Sequence, residues 1–236
     1  MSNFSPEEFF DIVDGPLAGL FKDIVHVWDV VAALPAYIEK IIDPELLGEV
    51  EEGAWLEKGR VRLEKGSRVE RGAIVRGPTI IGRDTVVRSG AYIRGHVMVG
   101  EECLIGHGTE IRQTLVLNQS NIPHLNCIFT SLVGNRVKIG GCTHTANFLL
   151  SGKEVEIRVN LNGKKQVFTT GQTLFGAVIG DDSKVGGVSL LQAGTAIGRR
   201  CLIYPQASVS GYIPHDSILK PKSATFEVIP RPETDE

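Results

Sequence analysis

The chain has 236 residues, 42% of them hydrophobic and 22% charged, enough apolar material for one or two globular domains and too much for a disordered chain. A formal net charge of -3 gives no reason to expect a nucleic acid or an anionic membrane as a bulk partner. Cys103, Cys127, Cys142 and Cys201 form no CxxC pair, and the sequence has neither a basic-then-apolar leader nor an apolar run of about 18 residues, so the expected setting is the cytoplasm, with reduced thiols, no secretion and no membrane insertion.

Residues 1–48 read as a helical N-terminal cap. Ser5, Pro6 and Glu8 have the spacing of a helix start, and Phe9, Ile12 and Val13 can share one apolar face. A second helical segment, from about Ile24 to Ile42, is expected to break or kink near Pro35. These helices are expected to close the open end of the repeat that follows.

That repeat occupies residues 49–222. Val50 and Leu56 begin it, and one extra residue is absorbed near Arg60 and Val61. From Leu63 to Leu117 an aliphatic residue then stands at every sixth position, with a small residue such as Ser67, Ala73, Thr85 or Thr109 four places after it. A period of six fits neither a 3.6-residue helix nor a two-residue strand and requires a larger repeating unit. Continuing the count places Pro123 and Phe129 inside, with a slip before Val133 and Ile139.

Between about 145 and 172 the period disappears. Val155, Ile157, Val159 and Leu161 alternate there with Glu154, Glu156, Arg158 and Asn160, and Asn162-Gly163 precedes a second strand-like run, which predicts a β-hairpin arm. Such an arm is expected to contact a neighbour or to cover a site. The period returns at Ile179 and runs to Val209, about twenty hexads or some seven coils in all. Residues 223–236 form an acidic C-terminal tail, expected to be mobile.

On the outer surface, Arg76, Arg94 and Arg112 recur one coil apart and should stack. Stacked like charges call for an intervening anion or carboxylate, and guanidinium groups hold phosphate in a bidentate fork. A solvated, screened basic ladder is the plainer alternative. Of the six histidines, His107, His124 and His144 lie near the irregularity in the repeat, yet none has a partner at a short metal-ligand spacing. A lone histidine in a cleft suits proton transfer, so no metal is expected.

The six-residue spacing resembles the hexapeptide-repeat acyltransferases, which implies a mainly β protein, a left-handed parallel β-helix with three hexads per triangular coil. The segment PHLNCIFTSLVGNRVKIGGCTHTAN, Pro123 to Asn147, is similar to the acetyltransferase half of bifunctional sugar-1-phosphate nucleotidylyltransferases, a resemblance covering about residues 75–220. It implies His124 as general base, Asn147 at the sugar-phosphate site, and Arg94 and Arg112 as ligands of the same substrate. Lys138 stands where that family has a site asparagine, Cys127 where it has a tyrosine, and Phe129-Thr130 where it has Gly-Asp. The nucleotidylyltransferase half has no counterpart in the sequence.

The implied function is an acetyl-CoA-dependent N-acetyltransferase acting on an amino-sugar phosphate or a nucleotide-linked amino sugar. The implied assembly is a homotrimer, with acetyl-CoA as co-substrate in the groove between two prisms and the hairpin arm reaching over it. The alternatives are a non-catalytic trimeric scaffold or regulatory homologue of the sugar-phosphate nucleotidylyltransferases, favoured by the missing tyrosine, and a γ-class carbonic anhydrase-like metalloenzyme.

Overall fold

The computed structural model describes residues 4–12, 17–161 and 163–221. Val13, Asn162 and the tail from 223, which figure in the expectations above, lie outside them. Three parallel sheets of nine, eight and eight strands form the walls of a left-handed β-helix. The first face runs from Glu49–Val50 to Ile218–Leu219, the second from Trp55–Leu56 to Ser208–Val209, and the third from Val61–Leu63 to Tyr212–Ile213. Eight full coils and the start of a ninth replace the expected seven. At ~4.8 Å per layer the prism is roughly 40 Å long.

The expected aliphatic residues do fill the interior: Leu63, Val69, Val75, Ile81, Val87, Ile93, Val99, Ile105 and Ile111 are all at most 1% exposed and in mutual contact. The small slots have a second job besides fitting the corners. The hydroxyl of Thr85 donates to the carbonyl of Gly100 at 2.7 Å and accepts the Cys103 N–H at 2.9 Å. Ser120 and Ser183 do the same one coil to the next. Buried corner amides are thereby paired without water.

After Ile111 the frame differs from the count. Ile81 pairs with Val99, eighteen residues on, but Val99 pairs with Val116 and Val116 with Val133, seventeen each. Interior positions therefore go to Val116, Ile122 and Ile128, while Pro123 and Phe129 are half-buried on the outer side. The cause is a tightened corner. Gly95 and His96 turn the chain between Arg94 and Val97, whereas Gln113 alone, in the left-handed region at φ 44°, turns it between Arg112 and Thr114. Thr130 repeats the device at φ 49°.

The N-terminal helices lie somewhere other than expected. α1 (Pro6–Phe9), α2 (Ala18–Phe21) and α3 (Asp29–Ile41) pack along the third face rather than across the end of the prism. The reason is the outer side of that face, where Ile80, Met98, Leu115, Leu132, Val178, Ala196 and Tyr212 form one apolar column in register. Phe9, Phe21, Trp28, Val31, Leu34 and Ile38 bury it. At ~1.5–3 kcal/mol per buried large side chain, uncovering that column would cost on the order of 10 kcal/mol. Pro35 neither breaks nor ends α3. It lacks the N–H that would reach the carbonyl of Val31, and Gln113 Nε2 approaches that carbonyl instead, at 3.5 Å.

The hairpin, Glu156–Leu161 with Lys164–Thr169, forms as expected, but instead of protruding as an arm over a site it lies back along the third face. Val155, Ile157 and Val159 point inward against the same cluster as Phe4, Trp28 and Tyr212. A Cβ on Gly194 or Gly211 would stand 2.3 or 2.4 Å from the carbonyls of Glu156 and Arg158, so these two corners must be glycine for the hairpin to lie down.

Candidate active site

With the third face covered, the second face carries the candidate residues. Its outward column, read from register, is Trp55, Ile74, Tyr92, Glu110, Cys127, His144, Leu190 and Ser208. Arg76, Arg94 and Arg112 follow at its far edge on successive layers, with Arg76 opposite Arg94 and Arg112 opposite Phe129. His107 and His124 pair at the near edge, where the chain turns in from the first face.

The arginine ladder finds part of its counter-charge within the chain. Arg94 Nη1 lies 2.8 Å from Glu110 Oε1. The Tyr92 ring has the guanidinium carbons of Arg76 and Arg94 at 5.9 and 6.0 Å from its centroid, within cation–π range. Arg76 and Arg112 are exposed and make no ion pair among the described residues. Glu110 and Tyr92 were not singled out by sequence reasoning. Their signal was the outward phase of the same repeat, one or two places from each arginine.

His124 ends the strand Asn121–His124 and is exposed. Its ring lies over Gly141, where a Cβ would come within 2.6 Å of Cδ2 and 2.9 Å of Nε2. Glycine at 141 thus leaves the imidazole its place. Leu125 after it turns the corner at φ 55°. On the layer below, His107 Nδ1 sits 2.7 Å from the carbonyl of Ser89, which fixes the proton on that nitrogen and leaves Nε2 as acceptor in the neutral ring.

Asn147 stands at the opposite edge. Its Nδ2 donates to Thr130 Oγ1 at 2.9 Å, and its carbonyl accepts the Phe175 N–H at 2.8 Å. The strand between the corners at Leu125 and Thr130 separates it from His124 by roughly 15–20 Å, at ~3.3 Å per residue. The two residues of one copy cannot attend the same amine. The arginine side chains, which reach inward as far as Glu110, narrow that gap for a phosphate-bearing ligand.

Lys138 projects from the first face, around the corner from Arg94 and Arg112. It lies in register between Asn121 and Lys184, beside a groove of about 480 Å³ lined also by Pro123, Tyr204 and Pro205. Asn121, which also lines this groove, has its Oδ1 buried without a hydrogen-bond partner among the described residues.

Cys127 is half-buried at the centre of the second face, and burial, then the nearby Glu110, pushes its thiol up. It is held protonated and is a poor nucleophile. Cys103, in a corner slot, is pushed up to about 12 by burial. No group of three His, Cys, Asp or Glu side chains among the described residues could hold a metal. Among those residues, too, no helix is long and apolar enough to cross a membrane.

The family model described as the GMPPB C-terminal domain matches residues 75–174, which spans both the arginine ladder and His124. The chain is 28% identical over 202 residues to the bifunctional sugar-1-phosphate nucleotidylyltransferase/acetyltransferase of Sulfurisphaera tokodaii, covering 86% of this chain and 49% of that protein. It is 33% identical over 206 residues to the bifunctional protein GlmU of Methanococcus maripaludis strain C7, covering 87% and 48%. The chain thus spans about half the length of the curated relatives it matches. Among solved structures, the UDP-N-acetylglucosamine acyltransferase from Campylobacter jejuni aligns over 70% of this chain and 69% of its own, with a TM-score of 0.47 and 15% identity.

Proposed function

We propose that this chain, a homologue of the bifunctional sugar-1-phosphate nucleotidylyltransferase/acetyltransferases, is an acetyl-CoA-dependent N-acetyltransferase for an amino sugar that carries phosphate. The observation that carries the reading is the second face itself. An exposed imidazole, His124, and exposed guanidinium groups border one strip whose centre holds Glu110. Arg94 and Arg112 bind the phosphate and His124 takes the proton from the amine. An amine is largely protonated near neutrality and cannot attack a thioester until that proton leaves.

The working assembly is a homotrimer in the cytoplasm. The third face is occupied by the chain's own helices and hairpin, which leaves the first and second faces and the corner between them for packing. Around that corner Leu125, Val188, Leu190, Leu202 and Tyr204 are 39–63% exposed, an apolar strip suited to a closed symmetric contact. Asn147 then reaches the amine near His124 from a neighbouring copy, which removes the distance between them. Acetyl-CoA lies in the groove beside Lys138 and Lys184, whose ammonium groups meet its phosphates while Pro123, Tyr204 and Pro205 pack its apolar arm. Cys127 remains a thiol, so transfer is direct, from thioester to amine.

The experiment is release of free thiol from acetyl-CoA with a panel of amino-sugar phosphates. Acceptor-dependent release supports the assignment. Binding of acetyl-CoA with no release for any acceptor favours a non-catalytic scaffold, the reading that the tyrosine-to-Cys127 departure supports.

A further inference from the structure

The outward column of the second face extends beyond what a sugar monophosphate needs. On the two layers before Tyr92 it presents Ile74, 41% exposed, and Trp55, 50% exposed. Neither serves the interior, which Leu56 and Val75 fill from the adjacent positions. An exposed tryptophan and isoleucine in adjacent layers form an apolar platform two layers deep. Immediately beside it begins the arginine ladder, whose middle member is neutralised by Glu110 and whose outer members, Arg76 and Arg112, make no ion pair among the described residues. These two stand two layers apart, roughly 10 Å at ~4.8 Å per layer, so a single phosphate meets one fork well and the other poorly. Two linked phosphates can engage both.

We propose that the acceptor is a nucleoside-diphosphate-linked amino sugar, its base stacked on Trp55 and Ile74, its diphosphate held by Arg76 and Arg112, and its sugar toward Glu110 and His124. This rests on the function proposed above and narrows its substrate class. From Trp55 to the layer of Cys127, which shares its coil with His124, is four layer steps, roughly 19 Å, a tract fit for an extended nucleotide sugar. Flat bases stack on aromatic side chains with little regard to identity, so the platform selects for a base without naming one.

Binding is measured apart from turnover. Of the two tryptophans, Trp28 is buried against His26 and the N-terminal cluster, and Trp55 alone is open to quenching. Titration with UDP or GDP should quench Trp55 emission, and inorganic pyrophosphate should bind without that quenching. UDP-glucosamine should bind at least tenfold tighter than glucosamine 1-phosphate. Trp55→Ala and Arg76→Ala should each remove most of that advantage and leave glucosamine 1-phosphate binding unchanged. Trp55→Phe should keep most of the advantage, which separates loss of stacking from loss of fold. Equal affinity for the two acceptors, or nucleotide binding indifferent to Trp55→Ala, overturns the inference, and turnover of glucosamine 1-phosphate in that case would leave the enzyme assignment standing. Nucleotide binding as described, with no thiol release from any acceptor, would remove the enzyme assignment and keep the nucleotide site.

Discussion

Glu110 sorts the arginines of the ladder into different roles. Arg94 already has a carboxylate partner, so its ligand must share it, whereas Arg112 is uncommitted. Arg112→Ala should weaken binding of an amino-sugar phosphate by ~1.5–3 kcal/mol, the scale of a hydrogen bond to a charged group. Arg94→Ala should weaken it further, because it removes a guanidinium and also leaves the Glu110 carboxylate uncompensated beside the phosphate. Calorimetry on both variants checks the order, and equal or absent effects would return the ladder to a solvated basic strip. Arg76, Arg94, Arg112 and His124 were legible as outward positions of a six-residue period because spacing alone fixes which way a side chain points. Glu110 and Tyr92 were passed over since each is unremarkable in isolation and gains meaning only from the layer beside it.

The β-helix was readable from its interior, and the N-terminal helices were misplaced because the same interior explained the repeat completely. The second apolar pattern, Ile80, Met98, Leu115, Leu132, Val178 and Ala196, falls on only one wall in three and is diluted in a linear reading. The one-residue corners at Gln113 and Thr130 were likewise hidden, because Leu117 sits next to Val116 and Pro123 next to Ile122, so a slipped frame still meets an apolar residue for a time. The element that covers the third wall is fastened by charge as well as by apolar contact. Arg199 Nη1 meets Asp11 Oδ1 at 2.5 Å, Arg136 meets both Asp11 and Asp182, and the N–H of Asp11 donates to the buried carboxylate of Asp181 at 2.6 Å. The hydrogen bond from Arg199 holds Asp11, and that from Arg136 holds Asp182, below the usual carboxylate range. A depressed folded-state pKa adds stability that is fully present above the unfolded-state value and is lost as pH falls through the folded one. The opposite sign holds for Asp181, which burial pushes up, so its charge opposes folding and acid relieves it. Asp11→Asn should lower stability at neutral pH by no more than about 1 kcal/mol, given how exposed the pair is. The difference between variant and wild type should shrink below about pH 4. Thermal melts across pH 3 to 7 measure this, and a gap that widens in acid would contradict it.

As a whole, the molecule offers two walls and one corner to other copies, and the candidate base stands on that corner. Light scattering should give three times 25.6 kDa in solution, and a monomer at micromolar concentration would separate His124 from Asn147 for good. The distance between those two residues could not be read from the sequence, where their motif is continuous, because the intervening strand and corners carry them to opposite edges of a wall. On the function proposed above, one copy's His124 would work with another's Asn147, and that pairing would be a property of the assembly. The role of His124 as base is tested by thiol release from wild type and His124→Ala with acetyl-CoA and amino-sugar phosphates. Turnover in the variant should be about 10²- to 10⁴-fold slower, with acetyl-CoA binding and trimer mass unchanged because the lost contribution belongs to the transition state. Turnover as fast in His124→Ala as in wild type would contradict that role.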